Sequence, residues 1–584
     1  MSRRILIAGL TLAMVACHTE PDSPDGRWAR YEFSEGSPIP GVTHLVLAVP
    51  GRETAAAGPA LWWRLEAFSG DGRRFSIDLL ADGLDFLHPG APPVFVHRYL
   101  LTDEDGAVFD YVDAATGGAL LPKLGFFTHL TPRAASVDDP GLPLFERGSW
   151  LGKPVHRAAA GTGASPAEVS GARRLTLDSQ ILVGTSRSFR DDRSGRLYEP
   201  SPEWSRDGPD YQYVELDGDD YESMIEAGFN IFRVPEDHLK WVRDEPVWFL
   251  VRGGFGTRPD LLFRPNFFGA VMYMDEPAIR AMAFDGMFRR FRDPARAAEV
   301  VAELTRGRYH GDGSYGRGHL QRLLARDGWD LGAMEIPQPD YPVWETVASA
   351  CWYEMEAGAA GWCMEGRYQP AWFARRMGDE LGVDFPDDAE ATIRFHQAFF
   401  TGAARRFGAR WGVAIYGQMD RTAADLLFPI AYDQGATYFW FWTSDHAHHV
   451  PFEEQLQHAR ALRRHAAAHP RPDPAGRTAA AQVAIALPWG YLLDHYQLKR
   501  YTYHGETFQR GRMWWSREME LTDRNEAGAT YGQVLAAAAS QAAELLRAGT
   551  AFDFVYLRRG EAAPTGYAEV RRVRESGEVV VGRP

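Results

Sequence analysis

Between residues 173 and 465 the chain repeats one alternation, a short apolar run followed by a stretch with helical spacing. The runs fall at 180–186, Phe229–Val234, Val247–Val251, Phe268–Met274, Tyr341–Glu345, Gly361–Glu365, Trp411–Gly417 and Thr437–Trp442. Most are apolar without a polar alternate, as strands covered on both faces are. The intervals hold amphipathic segments such as Ala297–Leu304. Strands alternating with helices build a parallel sheet, and eight such units are the number that closes a (β/α)8 TIM barrel. The interval 278–331 is long for one crossover and carries an insertion. Its glycine-rich piece at 311–316 lacks the Gly-Lys-Ser/Thr of a phosphate loop and reads as a turn.

At 584 residues the chain exceeds one core, so the barrel has company. Residues 41–155 show strand patterns punctuated by Gly70-Asp71-Gly72 and Asp103-Glu104-Asp105-Gly106, with no helical period. They predict an N-terminal β-sandwich. Linkers rich in Ala, Gly and Pro run over 157–172 and 466–480. Residues 481–584 then predict a small α/β domain, with strands at Val483–Pro488 and Phe552–Tyr556 around a helix at 530–548.

Arg3 and Arg4 precede an apolar run, Ile5–Ala16, too short to span a bilayer as a mature helix. It ends Met14-Val15-Ala16-Cys17 and resembles a bacterial lipoprotein signal over residues 1–17. The resemblance implies lipidation of Cys17, a tether over 18–40, and a cell-envelope location with the chain anchored to a membrane. Cys351 and Cys363 fall in a predicted helix and a predicted strand, which suits buried thiols better than a disulfide. The net charge of −15 argues against nucleic acid as a partner. Nothing in the sequence implies a cofactor.

The fourth run ends on two adjacent acids, Asp275 and Glu276, with Pro277 opening the next helix. Carboxyl ends of barrel strands form the active-site face, and neighbouring carboxylates there are costly unless used. The same tripeptide at Asp244-Glu245-Pro246 precedes its strand and so belongs to the opposite, structural face. Glu365 ends the sixth run. Glu345 ends the poorly defined fifth. Asp445-His446-Ala447-His448-His449 follows the eighth, and its adjacent histidines suit loop hydrogen bonds better than a metal, whose ligands come from separated elements.

Ala227–Val234 looks like the second strand of glycoside hydrolase barrels, in which an arginine, here Arg233, supports the catalytic carboxylates. Two families resemble the chain further. Hexosaminidases of families 20 and 123 close strand four on an Asp-Glu pair. That resemblance implies Glu276 as general acid/base, with Asp275 orienting a substrate acetamido group that serves as nucleophile. Aromatic and hydroxyl contacts would come from Tyr273, Tyr416, Trp440 and Trp442, with further polar contacts from Gln418, Asp445 and His446. Family 42 β-galactosidases share the barrel followed by an amidotransferase-like domain, and Ala431–Trp442 is similar to their last helix and strand. Their nucleophile is a glutamate ending strand seven, where this chain has Gln418, so Glu365 would have to serve. The C-terminal domain lacks the amidotransferase cysteine, and the resemblance implies a structural role or homo-oligomer assembly. A non-catalytic glycan-binding lipoprotein is the alternative from another class. Carbohydrate is the expected ligand in every case.

Overall fold

A computed structural model gives a parallel sheet of eight strands: Leu182–Thr185, Ile231–Val234, Trp248–Val251, Phe267–Ala270, Val343–Glu345, Gly361–Gly366, Arg410–Ile415 and Tyr438–Phe441. The structure describes residues 28–34, 42–48, 60–69, 74–81, 94–102, 107–118, 120, 149–150, 153–157, 172–185, 187–191, 213–251, 261, 264–270, 278, 291, 293–310, 342–359, 361–417, 419–442, 450–471, 481–493, 499–503, 506–510 and 521–584. Numbered one to eight along the chain, the strands lie in the order 4-3-2-1-8-7-6-5. Strand one therefore pairs with strand eight, as barrel closure requires. Between strands four and five no ladder forms among the described residues. Every residue of strands one, three, six and eight is buried, which accounts for their unbroken apolar pattern.

Aspartates start the helices that return the chain to the sheet. Asp217 and Asp220 make a reciprocal capping box on Gly218–Ala227. Asp388 and Asp420 accept from the first-turn N–H groups of Ala389–Phe407 and Arg421–Asp433. Each cap satisfies donors that a helix start otherwise leaves orphaned.

Contacts divide the chain into two units. The first comprises residues 1–110, 126–173 and 330–333, and the second holds the remainder. In the first, Trp28–Phe33, Val42–Ala48, Ala60–Ser69, Arg74–Ala81 and Val94–Thr102 pair consecutively and antiparallel. Lys153–Arg157 pairs with Trp28–Phe33 on the outer side. The expected strands are present and, among the described residues, pair into one continuous ladder.

The second unit holds the barrel and a further sheet, ordered Phe552–Leu557, Val483–Pro488, Glu569–Val573, Val579–Gly582. The first three strands are parallel and the last is antiparallel. Helix Tyr531–Arg547 packs on this sheet, with a Thr530–Gln533 capping box at its start. Helix 389–407 from the barrel packs on it too. Phe399 stacks on Phe554 at 4.2 Å, while Phe400 in the next position meets Trp362 of barrel strand six at 4.6 Å. A Cβ on Gly402 would collide with the Phe554 carbonyl oxygen, so only glycine allows this approach. The buried Asp553 carboxylate accepts from Thr401 at 2.5 Å and Tyr567 at 2.8 Å, and Arg405 lies 3.3 Å away. Burial still raises its pKa, against the pull of Arg405 and those hydrogen bonds.

Candidate active site

Strands five and eight are not neighbours, yet Trp344 meets Trp440 at 5.8 Å and Trp442 at 5.6 Å between ring centroids. That contact crosses the barrel, so all three side chains face the lumen. Strand parity then assigns the other lumen positions. On strand eight these are Tyr438, Trp440 and Trp442. On strand seven, Gly412 faces Tyr438, and Tyr416 stacks on Trp442 at 5.4 Å and 9°. On strand six, Gly361 faces Tyr438, which puts Cys363 and Glu365 on the same side. On strand two, Phe232 points outward onto Tyr221 of helix 218–227, so Arg233 points inward, half-buried.

The barrel fills from the bottom with aromatic rings laid against small residues. An added Cβ at Gly184 would meet the Trp440 ring. Trp440 is fully buried in this middle layer, and Trp442 lies one step nearer the carboxyl-end mouth. At that mouth the Arg367 guanidinium donates to the Glu365 carboxylate at 2.7 Å and lies over the Tyr416 ring at 4.4 Å. The resulting chain runs Glu365, Arg367, Tyr416, Trp442, Trp344, with every member buried. The guanidinium gives the buried carboxylate a bonded partner, and a cation over a phenol ring gains from the ring's negative face. Burial, and then the nearby Glu365 charge, push the Cys363 thiol well up, so it stays protonated and is no nucleophile.

Glu345 departs from the lumen set. Trp344 points inward, so Glu345 points out toward the helices. There it accepts from the Ala278 backbone N–H at 3.1 Å. Glu354 of helix Cys351–Glu356 accepts from the same N–H at 3.1 Å and from the Trp362 indole at 2.6 Å. Two fully buried carboxylates thus converge on one backbone donor just past Asp275-Glu276-Pro277. Glu354 was not singled out from sequence, and neither was Trp344. No feature of the apolar run marked Trp344 as lumen-facing, and the acid that follows it pointed the other way.

Asp275, Glu276, Tyr273, Gln418, Asp445, His446 and Cys17 lie outside the described residues. Of the expected site, the structure brings Glu365, Tyr416, Trp440 and Trp442 into one connected group and gives Arg233 an inward direction. The twin motif behaves as its position requires. Asp244 lies before strand three and pairs with Arg264 and Arg243. Burial alone would raise its pKa, but the two guanidiniums outweigh it and lower the value. Among the described residues no three His, Cys, Asp or Glu side chains gather to hold a metal, and no helix is long and apolar enough to cross a membrane.

No protein-family model matches this chain, and no curated protein does. Among solved structures, a trimodular endoglucanase of glycoside hydrolase subfamily GH5_4 aligns at 10% identity and a TM-score of 0.24. The alignment covers 53% of this chain and 63% of the endoglucanase. A likeness of that size decides nothing about chemistry, which rests on the geometry above.

Proposed function

We propose that the chain is a glycoside hydrolase acting on a glycan outside the bacterial cytoplasm, anchored to the envelope through lipidated Cys17. The observation that carries this reading is the Glu365–Arg367 pair set beside Tyr416 and Trp442 at the carboxyl-end mouth of the barrel. A carboxylate, a guanidinium, a phenol and indole faces make the polar and stacking inventory that a sugar ring needs.

In this reading Glu276 protonates the leaving glycosidic oxygen and then takes a proton from water. Asp275 steadies the 2-acetamido group of the substrate, whose carbonyl oxygen attacks the anomeric carbon as the glycosidic bond breaks. Glu365 and Arg233 bind and position the sugar. The placement of Glu365 supports a second reading, because an inward, arginine-bonded carboxylate is also equipped to be a protein nucleophile. The two readings separate on Glu365→Gln and on substrate. Wild type and variants are assayed on aryl 2-acetamido-hexosides and on aryl galactosides. Substrate assistance requires the acetamido group for turnover, and Glu365→Gln then keeps measurable kcat. A protein nucleophile tolerates galactosides, and Glu365→Gln then abolishes turnover. In both cases Glu276→Gln is expected to lose 10²-fold or more in kcat, on the order of a general acid's contribution, while still binding sugar. Near-full activity of Glu276→Gln on a substrate the wild type cleaves would refute the assignment. Sugar binding with no turnover on any of these glycosides would leave the chain a glycan-binding protein instead.

A further inference from the structure

The C-terminal sheet contains a cavity of about 310 Å³ that the reading above leaves unused. It lies at the carboxyl ends of strands Val483–Pro488, Phe552–Leu557 and Glu569–Val573. The chain leaves the first of these strands, returns on one side of it as Phe552–Leu557, and then crosses to the other side as Glu569–Val573. Connections that depart in opposite directions open a crevice at the carboxyl ends of a parallel sheet, which is where open α/β sheets bind ligands.

Donors dominate the walls. Arg558, Arg559, Arg572, Arg574 and Trp489 line the cavity, and Glu575 is its one acidic side chain. Arg558 is committed to Glu299 and Glu356, and Arg559 to Asp293 and Glu575. Glu575 is thereby neutralised as well. The two arginines of strand Glu569–Val573 and its exit are less engaged. Arg572 donates to the Glu561 backbone carbonyl, and Arg574 pairs with Glu578 at the surface, where such a pair is weak. Two residues apart, Arg572 and Arg574 share a face, while Arg571 turns the other way onto Gln541 and Glu544. The Trp489 side chain is 3% exposed, and its indole N–H has no hydrogen-bond partner among the described residues. A buried donor left unpaired costs stability that an acceptor in the cavity would recover.

We propose that this cavity is a second ligand site, taking a small molecule with a carboxylate or phosphate group held by Arg572 and Arg574 and oriented by the Trp489 N–H. The two oxyanions share the acceptor chemistry these donors call for, and the guanidinium fork fits both.

The test uses the full chain and three probes: inorganic phosphate, glucose 6-phosphate and glucuronate, with chloride at matched ionic strength as the reference. Calorimetry and the thermal midpoint are read together. Saturable binding with a rise in midpoint is expected for at least one probe, and the phosphate and carboxylate arms show which group is preferred. The Arg572→Gln/Arg574→Gln protein is expected to bind at least about tenfold more weakly, since each lost bond is charge-assisted. Trp489→Phe keeps the ring, removes only the donor, and is expected to weaken binding severalfold, so it carries the test if the arginine variant misfolds. No saturable binding of any probe beyond the chloride reference overturns the proposal. So does binding that both variants retain unchanged.

Discussion

His396 makes the barrel acid-labile by an amount that can be worked out. It lies fully buried in helix 389–407, where its Nδ1–H donates to the Thr392 carbonyl at 2.7 Å. Rings of Tyr368, Phe373 and Phe395 pack around it at 4.9, 4.9 and 5.3 Å. Burial lowers its pKa from 6.5 to about 4, against a smaller upward pull from that carbonyl. Above pH 6.5 neither the folded nor the unfolded chain protonates this ring, and stability is unaffected. Below 6.5 the unfolded chain takes up a proton that the fold refuses, so stability falls until the folded ring titrates near pH 4. Those two values give a loss of about 2 kcal/mol at pH 5 and about 3 kcal/mol near pH 4. Urea midpoints at pH 7.5 and pH 5 measure it. His396→Phe keeps an aromatic ring and gives up one hydrogen bond, about 1 kcal/mol at every pH. It is expected to lose about 2 kcal/mol less than wild type between the two pH values. His238, whose pKa burial also lowers, is present in both proteins and drops out of the difference. Equal losses in the two proteins would refute the account of His396.

Arg367→Met leaves Glu365 buried without its 2.7 Å partner and is expected to cost about 3–5 kcal/mol in urea unfolding. Adding Glu365→Gln to it should recover part of that loss, so a double-mutant cycle that returns no coupling would show the pair is not held as described. Gly402→Ala drives a methyl group against the Phe554 carbonyl and is expected to destabilise by about 1–3 kcal/mol, read as a lower thermal midpoint. Cys17→Ser is expected to move the protein from the membrane fraction to the soluble fraction, and an unchanged distribution after fractionation would exclude the lipid anchor.

The eight barrel strands were legible because each is covered on both faces and therefore reads as an apolar block. The same property hid which way their side chains point. Trp440 and Trp442 share a parity, but an apolar block gives no sign of which parity is the lumen. The answer comes from Trp344, across the barrel, and from Gly184, whose missing Cβ makes room for the Trp440 ring. Glu365 was legible as a strand-ending acid, and its bond to Arg367 follows from spacing, since residues two apart on a strand face the same side. The convergence of Glu345 and Glu354 on the Ala278 N–H was not legible, because one acid lies on a strand, the other on a helix, and the donor belongs to neither. Strands Glu569–Val573 and Val579–Gly582 were missed for a different reason. One is interrupted by Arg571 and Arg572, and the other, though apolar over Val579–Val581, has only 4 residues and is half to fully exposed.

Helix 389–407 serves both the barrel and the C-terminal sheet. Most of its side chains are buried, with Phe395 and Phe399 on one side and Phe400 on another, while Glu390, Arg394 and Arg405 form a narrower polar stripe. Phe400 covers barrel strand six, and Phe395 and Phe399 cover Phe554 of the C-terminal sheet. The sheet is therefore covered by helix 531–547 and, at its edge strand Phe552–Leu557, by a helix of the barrel. A chain ending at residue 470 would bare Phe395, Phe399 and the buried aromatic Trp352, which meets Tyr556 at 5.6 Å. Exposed aromatic area of that kind drives association. A change of mass on truncation would then report the uncovered helix rather than the loss of an oligomerisation surface. An oligomeric role for the C-terminal sheet is better tested in the intact chain, by charge substitutions on the exposed outer strand around Val581.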